Sequence, residues 1–208
     1  MTTRLKIAMA AAALLLAVGS AAALMKTGEK FLPFSLKNVD GAECTVKMED
    51  GRLTLIVKGA PACPPEVKTH PAAVLIDFWA TWCVPCRASM PYMQKLHEKY
   101  AAAAGQESGG LRLFGIALDT TGSKVVRPFY DKLKITYPML TDPTAGASGD
   151  GILRTTKDMK KLYDAETIPL VYLIDAKGTI VHVHQGFTPE HMTELEAVVK
   201  ATLAGGSK

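Results

Sequence analysis

Residues 76–91 read IDFWATWCVPCRASMP, and this stretch decides the fold. It begins inside an almost continuous apolar run, residues 72–80, which is typical of a strand buried on both faces. Cys83 and Cys86 follow directly, with two residues between them, and a helix is predicted from Cys83 to Ala104. The stretch therefore predicts two cysteines at a strand-to-helix junction.

The flanking sequence predicts an α/β fold. Before residue 59, two Asp-Gly pairs separate short alternating segments, which indicates three short strands joined by two turns. After residue 72 the predicted order is β-α-β-α-β-β-α, with a parallel crossover followed by an antiparallel hairpin. The predicted remaining elements are a Pro-rich loop before Pro71, a strand at 111–119, a helix at 124–133, a Gly-rich loop at 141–151, a hairpin at 170–186 and a helix beginning at Thr188.

Length and charge exclude some classes of protein. The chain of 208 residues suits one domain with a full hydrophobic core. Its formal net charge is +4, but without Arg4 and Lys6 only 22 basic residues stand against 20 acidic ones. No nucleic-acid partner is expected from so small an excess of positive charge.

The first 23 residues have the features of a secretory signal. A basic start is followed by an apolar middle and by small residues, so cleavage is expected after Ala23, leaving a domain at 24–208. The alternative is an uncleaved anchor, because residues 7–25 are just long enough to cross a bilayer. We expect the domain to be exported, in the periplasm or outside the membrane, where cysteines pair.

The spacing of Cys83 and Cys86 has a direct chemical reading. At a helix N-terminus the first cysteine is favoured as a thiolate, and the second lies one turn further on the same face. Cys83 can attack a substrate disulfide, and Cys86 can resolve the mixed disulfide. We expect Pro85 to shape the turn between them, with no cofactor and no metal.

A metal-binding module, such as a copper chaperone that uses this pair, is the alternative in another functional class. It has less support, because a zinc site needs further ligands at a matching spacing. His97 lies about three helical turns beyond Cys86, too far to share its ligand sphere. His182 and His184 alternate along one strand, where a solvated face is favoured over a metal site. A peroxide-reducing enzyme would carry a single-cysteine motif, which is not seen.

The segment FWATWCVPCRASMP resembles the thioredoxin superfamily, and in particular its TlpA/ResA branch of exported thiol-disulfide oxidoreductases. The segments PFSLKNVDG, ITYPMLTDPT and ETIPLVYLIDAKGTIVHVHQG resemble other parts of that branch, in the same order. The resemblance covers most of residues 31–204. It implies a thioredoxin fold, a mixed central sheet flanked by helices, with an N-terminal β-hairpin extension.

The resemblance also implies the roles of single residues. Cys83 would attack, Cys86 would resolve, and Pro169 would be the cis-proline that faces them. A substrate segment would pair with the backbone of Ile168. The expected substrate-binding residues are Trp82, Pro85, Thr167 and Ile168.

Two positions depart from the branch and bear on proton transfer. Ser89 stands where the branch usually has a glutamate, three residues after the second cysteine. Asp77 stands where the branch often has asparagine and thioredoxin has a buried aspartate. Burial raises the pKa of a carboxylic acid, so we expect Asp77 to exchange a proton with Cys86. The alternative is an aspartate bonded only to backbone amides.

The long stretch from Arg52 to Pro71 is the other departure, because it carries an additional cysteine. Cys63 could form a structural disulfide with Cys44 on the preceding hairpin. Closing a loop of about 19 residues would stabilise the fold by roughly 3 kcal/mol. A second redox pair or free thiols are the alternatives.

The resemblance implies a reductant of protein disulfides, for example in cytochrome c maturation. Its partners would be proteins with cysteines or disulfides and a membrane electron donor or acceptor. A membrane contact of its own is expected only if the N-terminal segment stays uncleaved.

Overall fold

The structure, a computed structural model, describes residues 24–59, 66–101, 109–143, 152–153 and 155–205. It contains nine strands: β1 (Phe34–Asn38), β2 (Glu43–Glu49), β3 (Arg52–Lys58), β4 (Glu66–Thr69), β5 (Ala73–Trp79), β6 (Leu111–Ala117), β7 (Met139–Pro143), β8 (Leu170–Asp175) and β9 (Ile180–Gln185). The helices are α1 (Val84–Tyr100), α2 (Ser123–Leu133), α3 (Thr156–Leu162) and α4 (Pro189–Gly205).

All nine strands form a single sheet in the order β4-β3-β2-β1-β7-β6-β5-β8-β9. Strands β5, β6 and β7 are parallel, and every other neighbouring pair is antiparallel. The predicted crossover from β5 to β6 and the predicted hairpin of β8 and β9 are therefore confirmed. The N-terminal strands join the sheet through β1, which pairs with β7.

The sheet separates two hydrophobic cores, and β5 contributes to both because it is buried along its whole length. We call the first the α1-side core; its members include Leu75, Trp79, Cys86, Met90, Tyr137 and Leu195. We call the second the α3-side core; its members include Phe34, Cys44, Ile76, Phe114, Met159 and Tyr163. The alternation of side chains along β5 decides which residues lie under α1.

The turn between β2 and β3 follows the sequence closely. The two strands pair in register around the Asp-Gly turn, with Cys44 opposite Val57. Both turn residues have positive φ, 51° at Asp50 and 74° at Gly51, which is typical of the two-residue hairpin turn that Asp-Gly favours.

Three elements were not predicted. β4 lies in the expected Pro-rich loop and pairs with β3, and β7 includes the start of the expected Gly-rich loop. α3 begins after Thr155, whose hydroxyl oxygen accepts a hydrogen bond from the amide of Asp158 at 3.0 Å. All three elements are at most seven residues long, and such short segments give little periodic signal.

The expected signal segment, residues 1–23, lies outside the described residues. The predicted end of the helix at Ala104 is wrong: α1 ends at Tyr100, because the backbone of Ala101 is extended. In the part of the chain that the structure covers, no helix is long and apolar enough to cross a membrane.

Candidate active site

The first cysteine of the pair lies at the start of α1. Cys83 is the N-cap residue, and its Sγ accepts a hydrogen bond from the backbone amide of Cys86 at 3.2 Å. Cys83 and Cys86 form a disulfide, with their Cα atoms 5.2 Å apart. Because the first turn of α1 contains no acidic residue, the positive end of the helix can stabilise a thiolate at Cys83.

The two sulfur atoms differ in their access to solvent. Cys83 keeps 4% of its surface exposed, whereas Cys86 is completely buried in the α1-side core. A substrate can therefore reach only the first cysteine. This asymmetry suits an attacking thiol at Cys83 and a resolving thiol at Cys86.

The loop before β8 faces Cys83. The Ile168–Pro169 peptide bond is cis, and the carbonyl oxygen of Ile168 lies 3.8 Å from Cys83 Sγ. Gln185 Nε2 donates a hydrogen bond to the carbonyl of Thr167 at 3.2 Å, and the Gly186 amide donates to the carbonyl of Pro169 at 2.8 Å. Strand β9 thus fixes the loop against the disulfide.

The surface around Cys83 is apolar and accessible. Trp82 is 68% exposed and Val84 is 64% exposed, and both lie next to Cys83 in the chain. Pro85 and Thr167 are also exposed, and Ile168 is half-buried. The structure therefore brings all the predicted substrate-binding residues either to the disulfide or to the loop that faces it.

Asp77 lies inside the protein under α1. It is wholly buried, and on β5 it shares a face with Leu75 and Trp79, which both belong to the α1-side core together with Cys86. Burial raises the pKa of Asp77 to about 7. Within the described residues neither carboxylate oxygen has a hydrogen-bond partner, so the alternative of an aspartate bonded to backbone amides is wrong.

Ser89 does not replace the missing glutamate. It is buried, and its hydroxyl donates a hydrogen bond to the carbonyl oxygen of Cys86 at 2.8 Å. A serine hydroxyl bonded to its own helix does not titrate near neutral pH. Asp77 is thus the candidate proton acceptor on this side of the disulfide.

Asp119, a residue that the sequence patterns do not single out, holds the loop before the cysteines. Its carboxylate accepts hydrogen bonds from the Thr81 hydroxyl at 2.6 Å and from the Thr81 amide at 3.0 Å. Asp119 follows β6, and the carboxyl ends of the parallel strands β5 and β6 meet at one edge of the sheet. That rule of parallel sheets was the signal that could have identified it.

The other cysteine that the structure describes is remote from this disulfide. Cys44 is buried in the α3-side core and has no disulfide partner among the described residues, and burial raises the pKa of its thiol to about 12. Cys63 lies outside the described residues, so the disulfide between Cys44 and Cys63 stays a prediction.

The sequence favours a solvated face for the histidines of β9, and the structure does not confirm this. His182 and His184 are half-buried, and the ring centroid of His184 lies 3.9 Å from that of His191 on α4. Burial lowers the pKa of both strand histidines. Among the described residues, no three histidine, cysteine or acidic side chains are placed to hold one metal ion.

Comparison with known proteins gives matches over most of the chain. Residues 68–200 match the family model described as Redoxin. The chain is 29% identical to the thioredoxin-like protein YneN of Bacillus subtilis over 166 residues, which cover 78% of this chain and 73% of YneN. It is 34% identical to the thiol-disulfide oxidoreductase ResA of Oceanobacillus iheyensis over 113 residues, which cover 54% of this chain and 49% of that protein.

A similar fold is found among solved structures. The crystal structure of a candidate thiol:disulfide interchange protein DsbE from Chlorobium tepidum superimposes with a TM-score of 0.57. The two chains are 24% identical, and the superposition covers 86% of this chain and 99% of the other.

Proposed function

Because the chain belongs to the Redoxin family and is a thiol–disulfide oxidoreductase of the ResA-like type, we propose that it reduces protein disulfides in an exported compartment. The thioredoxin fold and the N-terminal strands that precede it agree with the sequence prediction. The observation that carries the proposal is the position of Cys83. Its Sγ lies at the helix N-terminus, slightly exposed, beside the Ile168 carbonyl and next to the exposed Trp82.

The reaction begins from the reduced pair. The Cys83 thiolate attacks one sulfur of a substrate disulfide, forming a mixed disulfide and releasing the first substrate thiolate. Cys86 then loses its proton and attacks Cys83 Sγ, which releases the second substrate thiolate. The substrate gains two electrons from the pair, and its two released thiolates take two protons from the solvent to become a dithiol, while Cys83 and Cys86 become the disulfide.

Asp77 would take the proton of Cys86. Asp77 lies on the face of β5 that packs in the same core as Cys86, and its pKa of about 7 lets it accept and return a proton near neutral pH. The transfer would run directly or through one water molecule. When the pair is reduced again, the same carboxyl returns a proton to Cys86.

The substrate would bind as an extended segment across the disulfide. The backbone of Ile168 would pair with it, and the exposed side chains of Trp82 and Thr167 would contact its flanks. Main-chain pairing tolerates many side chains, so proteins with accessible cysteines or disulfides are the proposed substrates.

A reducing role needs an electron donor and a location. We propose that residues 1–23 direct export, or anchor the domain at 24–208 to the inner membrane, and that a membrane dithiol donor reduces the pair again. Cytochrome c maturation is one process that consumes such reduced cysteines.

A structural disulfide between Cys44 and Cys63 is also proposed. β3 ends at Lys58 and β4 begins at Glu66, opposite each other, and Lys58 also pairs with Glu43 beside Cys44. The connection that carries Cys63 therefore starts and ends near Cys44. Thiol alkylation and intact-mass measurement before and after mild reduction would detect the bond, and two alkylated thiols in the unreduced protein would exclude it.

Reduction of insulin with a dithiol donor tests the proposed activity. Cys83→Ser should abolish reduction, and Cys86→Ser should trap a mixed disulfide on Cys83. Cys44→Ser is the matched control, since this thiol lies in the α3-side core and should leave the rate unchanged. Full activity of Cys83→Ser would refute the proposal.

The reduction potential tests the direction. Equilibration of Cys83 and Cys86 with glutathione should give a value near that of thioredoxin, about −270 mV. A value near about −120 mV would make the protein an oxidant and would overturn the reducing role.

A further inference from the structure

Three buried polar side chains on the α1 side of the sheet have no hydrogen-bond partners among the described residues. They are Asp77, with both carboxylate oxygens, Trp79, with its indole Nε1, and Tyr137, with its hydroxyl. All three side chains are completely buried. Buried polar groups in proteins almost always have partners, so two donors and one acceptor in the same core call for an explanation.

The register of the sheet places these groups on one face. Asp77 on β5 pairs with Gly115 on β6, and Gly115 pairs with Met139 on β7. Tyr137 precedes Met139 by two residues, and both side chains belong to the α1-side core. Tyr137 and Asp77 therefore lie on the same side of the sheet, with Gly115 between their strands.

Gly115 leaves this space open to side chains from its neighbours. A Cβ atom at Gly115 would lie 2.3 Å from Met139 Sδ and 3.0 Å from Trp79 Nε1. The indole N–H thus lies directly over the residue that pairs with Asp77. A side chain at Gly115 would press on Met139 and on the indole N–H, so the glycine lets both groups approach the backbone beside Asp77.

The charge of Asp77 reaches the Tyr137 hydroxyl. The pKa of Tyr137 is raised well above its usual value of 10.0. Burial is the main cause, and the negative charge of the Asp77 carboxylate is the second. Tyr137 therefore keeps its proton across the physiological range and presents an O–H donor close to an acceptor.

We propose that Tyr137 is a positioning residue for Asp77: its hydroxyl, together with the Trp79 N–H, reaches the Asp77 carboxylate through one buried water molecule. Tyr137 keeps its own proton throughout. The inference rests on the proposed function, in which Asp77 takes the proton of Cys86.

The consequence for the reaction follows from the state that the donor favours. A hydrogen bond to the ionised carboxylate stabilises that form against the desolvation that disfavours it. Burial alone raises the pKa of Asp77 to about 7, and the donor would lower it, so that more of Asp77 is ionised and able to accept a proton at neutral pH. Without the hydroxyl, Asp77 would ionise only at higher pH.

The test is Tyr137→Phe, which removes only the hydroxyl. The Asp77 carboxyl is titrated by carbon-13 NMR in the folded protein, and single-turnover reduction of insulin is measured from pH 5 to pH 10. We expect the Asp77 midpoint to move up by about one pH unit, and the acidic limb of the rate profile to move with it. At one pH unit below the wild-type midpoint, the rate of the variant should be about tenfold lower than that of the wild type.

Tyr163→Phe is the matched control. Tyr163 is also a completely buried tyrosine, but it lies in the α3-side core, and its hydroxyl donates to the carbonyl of Leu32 at 2.7 Å. Its loss should lower stability without moving the titration of Asp77. An equal shift in both variants would mean a general loosening of the fold and would overturn the proposal.

A second variant keeps the test decisive if Tyr137→Phe does not fold. Replacement of Tyr137 by 3-fluorotyrosine keeps the hydroxyl and makes it a stronger donor, so the Asp77 midpoint should move to lower pH. An unchanged Asp77 midpoint in whichever variant folds would overturn the role of Tyr137. If the midpoint moves but the rate profile does not, Tyr137 still positions Asp77, and the proposed proton transfer from Cys86 to Asp77 is what fails.

Discussion

Replacing Asp77 by asparagine should make the protein more stable at alkaline pH, although it removes a residue of the active site. Burial raises the pKa of this carboxyl from 3.8 to about 7, so the folded state holds a proton that the unfolded state has lost. A difference of about 3 pH units corresponds to about 4 kcal/mol. This penalty is absent below pH 4, grows between pH 4 and pH 7, and is complete above pH 7.

Urea unfolding of the oxidised protein from pH 4 to pH 9 measures this effect. The asparagine side chain is neutral at every pH, so the free energy of unfolding of Asp77→Asn should rise relative to the wild type by about 4 kcal/mol between pH 4 and pH 9. A constant cost of misplaced amide hydrogen bonds would shift the whole curve but leave this difference intact. The pH dependence, rather than the absolute stability, is the readout.

Asp119→Asn provides the control, because Asp119 is nearly as buried but accepts two hydrogen bonds from Thr81. Its removal should give no stability gain at pH 9. Parallel curves for the wild type and Asp77→Asn would show that Asp77 is not a buried acid with a raised pKa, and would refute the reasoning on proton transfer.

Three further predictions concern the surroundings of the site. Since burial lowers the pKa of His182 and His184, the free energy of unfolding should fall as the pH drops below 6.5. The double variant His182→Gln with His184→Gln should show a smaller fall in urea unfolding. The same dependence of stability on pH in both proteins would contradict this. Thr81→Val should lower the free energy of unfolding by about 1–3 kcal/mol, because the Asp119 carboxylate loses its side-chain donor. It should also slow insulin reduction. A wild-type rate would mean that this loop does not affect catalysis. Gly115→Ala should lower the free energy of unfolding by about 1–3 kcal/mol, because the added methyl group would overpack against Met139. Urea unfolding measures this, and an unchanged stability would show that there is room for a methyl group at Gly115.

The fold and the disulfide were largely predictable because their signals are local. The apolar run that ends at Trp79 predicted β5, the Asp50-Gly51 pair predicted the hairpin, and Cys83 with Cys86 identified the helix start. The contact between Thr81 and Asp119 was not predictable in the same way, since it joins residues 38 positions apart. Only the pairing of β5 with β6 brings them together.

The elements that sequence reasoning missed have a common cause. β4 and β7 are strands because a neighbouring strand offers them hydrogen bonds, and their own residues carry little strand pattern. The half-buried state of His184 depends in the same way on α4, which places His191 against it. Tertiary contacts, which no short window of sequence contains, decide such cases.

The pairing of β1 with β7 has a consequence for the behaviour of a shortened chain. Without residues 24–58, the outer backbone of β7 would lose the strand that covers it and would expose unpaired amides and carbonyls at the flank of a buried sheet. Such an open flank recruits strands from other molecules. With the N-terminal strands in place, the sheet on that side ends instead at β4, a four-residue strand with Glu66 and Lys68, whose shortness and charges discourage this recruitment. The N-terminal strands thus cover the flank of β7, a task separate from the exchange of thiols at Cys83 and Cys86.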